Sequence, residues 1–492
     1  MKEIMWDVSL HSRIVSAAEA ISLIRPQSTI AMSGYAMAGY PKVITRELVR
    51  RQEAGEDLGL HLITGANVPY LDEVFADANL LKRRTPMCAA RPLAALINRG
   101  LIHYTEQQMC KLPRLLRSGR LGNIDVAVIE ALAISEDGKL IPTTASGYTQ
   151  ALLDAAETVI VEVNTAQPEV LTELHDIYVP APPPKTQPVP LTGIDQRIGC
   201  PYFQVDTGKI ACIVESNEPE RIKLVSKRNS IHDQVVAHLF NFLELEFGKV
   251  LPPVQTGFGG IADRITEGFK TASFQELQFF CGGIGEIIME LLYMGKAASV
   301  SAGGVAMSER VEEIMRNMKG LGNLFVIRNG DVINCAETIG RLGLLALNTG
   351  IEADIYGNIN SSHISGSRVV NGIGGGANFA QNAGLSIVLL PSTGVSGMIS
   401  NIVPMVSHQD ICEHDVDILI TENGAADLRG LDDCERAEQI IHCCTTGPYR
   451  EQLRSYLDKA KRECGGHHPQ LPEEAFGWYR RLKESGSMLE HA

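Results

Sequence analysis

Three glycine clusters in the second half of the chain offer the first chemistry: TGFGGIA at residues 256–262, CGGIGE at 281–286 and NGIGGGANF at 371–379. Glycine lets backbone amides come close to a ligand and adopt positive φ. Successive amides aimed inward make an anion site or an oxyanion hole. Gly257/Gly259/Ala262 and Gly372/Gly374/Ala377 also fit G-x-G-x-x-A, the dinucleotide pattern. The first follows two prolines, Pro252 and Pro253, where a strand is wanted. The second has Gly397, about 20 residues on, where a ribose needs an acid. A nicotinamide or flavin site is not expected, and ligand-free strand–helix turns are the plain alternative for each loop.

Single side chains add to this. Glu422 follows the apolar run VDILIT and precedes Asn-Gly, so it reads as a carboxylate at a strand end, where α/β sheets carry their sites, rather than as a surface acid. Asn334, in RNGDVIN, reads equally as a substrate-facing amide or a turn residue. Glu286 and Asp263 stand at helix starts, where the dipole favours an acid with no further role; a catalytic part for Glu286 and a water-positioning part for Asp263 are the sharper readings. Cys281 offers an acyl-accepting thiolate, although inert burial is the commoner fate of cysteine. His408 and His414 lie six apart and do not share a helical face, and Cys464 with His467 and His468 is not a closed zinc set. No metal is expected.

Groups of this kind need a scaffold of strands and helices. Apolar runs rich in β-branched residues, at 60–64, 125–129, 158–163, 210–215, 386–390 and 416–421, alternate with helical patterns such as 238–247 and 310–318. The alternation predicts an α/β chain with buried, largely parallel sheets. Residues 178–190 hold six prolines, which lack the amide donor of a sheet ladder, so this stretch is expected as extended coil. A polar run at 215–230, a helix and then Pro252 and Pro253 fit a crossing between domains. The partition expected is an N-terminal domain at 1–220 and a C-terminal domain at 221–492, with the helical region from Tyr449 serving packing.

Composition agrees with that outline. A chain of 492 residues suits two α/β domains, and 45% hydrophobic with 21% charged residues is globular. A net charge of −14 argues against a broad nucleic-acid footprint, while leaving room for a local basic pocket. No stretch approaches the roughly 20 apolar residues that span a bilayer, and the opening, with Lys2, Glu3, Trp6 and Asp7, lacks a signal-peptide run. Eleven cysteines without framework spacing fit a reducing cytoplasm.

Several motifs, in order along nearly the whole chain, resemble the acetyl-CoA hydrolase/transferase family, the succinyl-CoA:acetate CoA-transferase branch most closely. The first half has SGYAMAGYPK (33–42), like the family's SGF-x-x-AG-x-PK, then LITGA (62–66), INRGLIHY (97–104) and NIDVAVIEA (123–131). The second half has EADIYGNINSSH (352–363), NGIGG (371–375), IVPMVSH (402–408), TENGAADLRGL (421–431) and the tail FGWYRRLKESGSML. The resemblance implies two similar α/β domains with the active site between them. It implies CoA as a substrate with no resident cofactor, acyl-CoA and small carboxylates as partners, and a homodimer. It also implies a mechanism in which a glutamate attacks the acyl-CoA thioester, forms an anhydride and then carries CoA as a glutamyl thioester, with backbone amides of the glycine loops stabilising the oxyanions.

By the same resemblance Asn334 falls on an asparagine near the substrate and Glu422 on the glutamate of the E-x-G motif. Gly374 and Gly375 fall on glycines that approach the thioester, Gly257 and Gly259 on the loop facing the nucleophile, and Arg221 near a basic position for CoA. The departure is the nucleophile. Where the family reads roughly Y-[ST]-E-V-x-Q-[DE], this chain has FCGGIGE (280–286), so Gly282 takes the glutamate position and Glu286 the acid four residues on. Phe258 replaces a smaller residue, Gly260 and Asp263 replace asparagines, and Asn378 an aspartate. The function expected is a CoA-transferase for short-chain acyl-CoA and acetate, succinate or propionate with an altered nucleophile position. An acyl-CoA hydrolase and a CoA-binding protein or subunit without turnover are the alternatives.

Overall fold

The computed structural model describes residues 8–88, 90–220, 229–394 and 397–490. The chain forms two compact units. One combines Met1–Lys223 with Gln278–Leu342, the other Leu224–Leu277 with Gly343–Ala492. Compactness therefore divides the chain differently from a single cut at 220/221, because residues 278–342 pack with the N-terminal segment.

The first unit is built on a seven-stranded sheet in the order Ile210–Ser216, Ala156–Asn164, Ile124–Ala131, Thr29–Met32, Leu60–Thr64, Leu81–Thr85, His103–Tyr104. Every adjacent pair is parallel. The Ile124–Ala131 strand, IDVAVIEA, is buried at all positions but one, as expected of a parallel strand covered on both faces. The chain winds outward from Thr29–Met32 in both directions, so the strand order reverses there. Such a switch point opens a crevice at the carboxyl ends of the strands, and the loop that leaves it is Ser33–Tyr35–Lys42. The same unit holds a parallel run of Ala297–Ala302, Phe325–Arg328 and His175–Asp176, with Leu277–Cys281, all but its first residue in this unit, next in sheet order.

In the second unit Val254–Thr256, Leu345–Thr349, Leu385–Leu389 and Ile418–Thr421 run parallel, and Gly424–Asp427 folds back antiparallel as a hairpin. The loops after Thr256, Leu389 and Thr421 thus leave one edge of one sheet. The 18-residue helix Ser230–Phe247 is capped by Asn229, whose side chain accepts from the Ile231 amide, and ends at Gly248 with φ 67°. The helix Asp433–Cys444 starts with a full capping box between Asp432 and Glu435.

All six strand segments expected from sequence coincide with strands, and 238–247 and 310–318 fall on the helices Ser230–Phe247 and Glu309–Asn317. Residues 178–190 carry no helix or strand. One expectation is corrected: a strand, Val254–Thr256, does precede the Gly257 loop. Proline is tolerated ahead of a strand because it removes a donor only at its own position, and Pro253 still accepts through its carbonyl from Leu345 N. Arg221 lies outside the described residues.

Candidate functional site

The switch-point loop is held by side-chain bonds to backbone. Ser33 Oγ donates to the Gly39 carbonyl at 2.8 Å and accepts from the Glu130 amide at 2.9 Å. Gly34 has φ 134°, and a Cβ there would lie 2.6 Å from Val68 Cγ2, so only glycine fits. The loop delivers Tyr35, 5% exposed, into a seat lined by bare backbone. A Cβ on Gly147 would come within 2.5 Å of Tyr35 Cβ, and one on Gly303 within 2.6 Å of Tyr35 Cε1.

Tyr35 meets Tyr148 edge to face, with ring centroids 5.8 Å apart. Asn334 links the pair: its Nδ2 donates to Tyr148 Oη at 2.8 Å and to Tyr35 Oη at 3.2 Å. Asn334 is 1% exposed, so it is a structural bridge in the first unit whatever else it does. Burial pushes the Tyr35 hydroxyl up to about 12, against the hydrogen bond from Asn334, and drives Tyr148 well above the ordinary tyrosine range. Both hydroxyls remain protonated donors at working pH.

Gly282 directly follows the Leu277–Cys281 strand, and its carbonyl accepts from Gly303 N at 2.9 Å. A Cβ on Gly282 would meet a single heavy atom within 4 Å, Tyr35 Oη at 3.2 Å. Cys281 is fully buried, the environment of a packing cysteine. Glu286 opens the helix Glu286–Tyr293; its carboxylate is exposed and accepts from Ser308 Oγ at 2.6 Å.

A buried ionic cluster anchors the same loop. Lys42 Nζ donates to Glu130 Oε1 at 2.5 Å, to Glu220 Oε1 at 3.1 Å and to the Tyr40 carbonyl at 2.9 Å. Thr143 and Asn164 also donate to Glu130, and Thr144 and the Gly39 amide to Glu220. Burial disfavours the Lys42 ammonium, but Glu130 and Glu220 outweigh it and hold the group charged. One ammonium serves two carboxylates here. Burial and the Glu220 charge therefore push Glu130 up to about 7 despite Lys42.

In the second unit the Val254–Thr256 strand ends at Gly257, which is exposed, with open space around a notional Cβ. Gly259, at φ 114°, precedes the helix Gly260–Gly268; its conformation, not crowding, requires glycine. Asp263 sits in the first turn of that helix. Gly374 has φ 59°, and Gly375 leads into the helix Gly376–Asn382, where Asn378 is buried. Glu422 stands at the end of Ile418–Thr421. Both of its oxygens accept from Ser392, Oε2 from the amide at 2.7 Å and Oε1 from the hydroxyl at 2.6 Å. The strand-end carboxylate read from sequence is therefore a fixed group, aimed by a serine that follows the neighbouring strand.

Sequence reasoning missed Tyr35, Tyr148 and Ser392 because each acquires its partner across more than 25 residues. The glycines opposite the tyrosines, Gly147, Gly303 and Gly330, were the available signal. A Cβ at Gly330 would lie 2.3 Å from the Tyr148 ring. It also missed that Glu413, Asp433 and His468 bring ligand atoms within 4.8 Å of one another. Asp433 there already accepts from His468 Nδ1 at 2.7 Å, and His468 stacks on Tyr356. The His408 and His363 rings meet tilted, with centroids 3.8 Å apart, and His414 is exposed. Among the described residues, no helix is long and apolar enough to cross a membrane, and all eleven cysteines are free.

Comparison with known proteins adds to this geometry. Residues 7–215 match the acetyl-CoA hydrolase/transferase N-terminal domain and residues 311–457 the corresponding C-terminal domain. The chain is 34% identical over 490 residues to the succinyl-CoA:acetate CoA-transferase of Clostridium kluyveri, covering 98% of this chain and 91% of that one. It is 34% identical to the acetyl-CoA hydrolase of Eremothecium gossypii, covering 97% and 96%. RipA from Yersinia pestis has the same fold, with a TM-score of 0.71 at 18% identity over 91% of this chain and 97% of that one.

Proposed function

Because the chain belongs to the acetyl-CoA hydrolase/transferase family, we propose that it is a CoA-transferase. It moves CoA from a short-chain acyl-CoA to a small carboxylate of the acetate, succinate or propionate type, without a covalent glutamyl intermediate. What supports the second half is Gly282, a glycine at a strand end whose notional Cβ has one close neighbour, Tyr35 Oη at 3.2 Å, and which the motif resemblance sets at the glutamate position.

In the proposed chemistry the acceptor carboxylate does what a side-chain carboxylate otherwise would. Its oxygen attacks the thioester carbonyl, and the tetrahedral oxyanion collapses with expulsion of CoA thiolate to leave a mixed anhydride. The thiolate then attacks the acceptor's carbonyl carbon in that anhydride. The donor acid leaves as its carboxylate, and the acceptor leaves as the new thioester. Amides of the Gly257/Gly259 and Gly374/Gly375 loops are assigned to oxyanion stabilisation, Glu422 and Asn334 to the reacting groups, and Arg221 to CoA. CoA is a substrate, not a resident cofactor. A division into N- and C-terminal family domains at 1–220 and 221–492, a homodimer and a cytoplasmic location complete the reading, the last supported by eleven unpaired cysteines. The 34% identity to a hydrolase favours a second outcome at the same groups, in which water replaces the acceptor and CoA is released.

The test mixes acetyl-CoA or succinyl-CoA with a carboxylate panel and follows CoA exchange and free thiol. Exchange without thiol release is expected. Thiol release alone makes the protein a hydrolase, and binding of CoA without either reaction overturns the catalytic reading in favour of a CoA-binding protein.

A further inference from the structure

We propose that Gly282 and Tyr35 make a subsite for a small free carboxylate, with Tyr35 Oη donating to one carboxylate oxygen beside the bare backbone of Gly282. The inference rests on the proposed transferase reading only in taking that carboxylate to be the acceptor.

The glycines around Tyr35 divide into two kinds. Those at 147 and 303 are forced, since a Cβ at either would lie 2.5 or 2.6 Å from the tyrosine. They seat the ring. Gly282 is different: its φ is not in the positive range, and a Cβ would meet only Tyr35 Oη, at 3.2 Å. No positive φ and no backbone contact demands glycine there, and the one close neighbour of a Cβ would be the Tyr35 hydroxyl itself. What its lack of a side chain does is leave a half-buried ledge beside one hydroxyl.

That hydroxyl is built to donate. Asn334 Nδ2 occupies an acceptor lobe of Tyr35 Oη, and Tyr35 donates to no described residue. A buried donor without an acceptor is costly, and an oxygen of a bound carboxylate satisfies it with a charge-assisted bond. Burial raises the Tyr35 hydroxyl to about 12, so the proton stays in place across the working range. The Asn334 bridge and the glycine seat fix the direction of the bond before any ligand arrives.

The experiment measures acetate binding to the full-length protein without CoA, by ligand-observed NMR with carbon-13 acetate. Acetate is expected to bind, and Tyr35→Phe, which keeps the ring in its seat, to weaken binding by about tenfold or more. Gly282→Ala, which puts a methyl on the ledge, is expected to do the same. Both variants should still bind CoA by calorimetry. Acetate binding unchanged in both variants, or none to the wild-type protein at about 0.1 M, overturns the subsite. Should Tyr35→Phe fail to fold, Gly282→Ala decides alone. The two readings separate cleanly. Tyr35-dependent acetate binding without any CoA exchange removes the transferase and keeps the subsite. Exchange with an unaltered acetate KM in Tyr35→Phe removes the subsite and keeps the transferase.

Discussion

At the scale of single residues, the absence of a side chain at 282 has a definite kinetic consequence. No anhydride or thioester can form on glycine, so exchange should require both substrates bound together and should show intersecting rather than ping-pong patterns. Borohydride, which reduces an enzyme-bound thioester, should leave the acyl-CoA-treated protein active. Ping-pong exchange with borohydride sensitivity would instead point to another carboxylate, with Glu286 the first to test. Gly282→Glu is the reverse experiment. Its Cβ meets only Tyr35 Oη, so the fold should stand, and a borohydride-sensitive adduct should appear if the oxyanion donors remain in place. Asn334→Ala should cost roughly 1–3 kcal/mol in chemical denaturation, because it strips a buried amide from two tyrosine hydroxyls.

At the scale of elements, the strand-end loops owe their shapes to glycines that act for different reasons, and substitution separates them. Gly257→Ala meets open space and should change stability by no more than about 0.5 kcal/mol. Gly259→Ala must adopt φ 114° and should cost on the order of 1–3 kcal/mol. Gly303→Ala drives a methyl into the Tyr35 ring and the Gly282 carbonyl, an overpacking also worth roughly 1–3 kcal/mol. Thermal melts of the three variants check the order, and equal losses at Gly257 and Gly259 would contradict the assigned geometry. Lys42 ties the switch-point loop to two buried carboxylates. Removing it as Lys42→Ala leaves uncompensated charge and should cost about 3–5 kcal/mol.

For the whole molecule, pH dependence follows from groups the core keeps out of water. His175, 1% exposed, is lowered to about 3 by burial and stays neutral when folded, while the unfolded chain takes up a proton near pH 6.5. The unfolded state thus binds more protons below that pH. Stability from this group is complete above pH 6.5 and falls as pH drops toward 3, by up to about 1.4 kcal/mol per pH unit. Glu130, raised to about 7, works in the opposite sense. The folded state binds the extra proton between about 4.5 and 7, so this contribution falls as pH rises through that window. The histidine is therefore read as the difference between the protein and His175→Gln in urea melts from pH 7 to 5. The variant should lose the acid-side slope whatever its absolute stability, and parallel slopes would refute the assignment.

The sequence by itself determined the elements and the family. Period-two and apolar patterning reports burial locally, so strands such as Leu60–Thr64 and Ile210–Ser216 were legible within a residue or two. The Glu422 strand end was legible too, because a loop after a strand is a local event, whereas the short strand Val254–Thr256 ahead of the Gly257 loop was hidden by the two prolines before it. Tertiary structure alone decided the partners. It showed that Asn334 spends its amide on Tyr35 and Tyr148, that Ser392 holds both oxygens of Glu422, and that residues 278–342 pack with the N-terminal segment. Only the fold showed that the space beside Gly282 ends on a tyrosine hydroxyl. The physical reason is that side-chain chemistry is set by what stands within a few ångströms, and residues 35, 282 and 334 come that close only after the sheets have assembled.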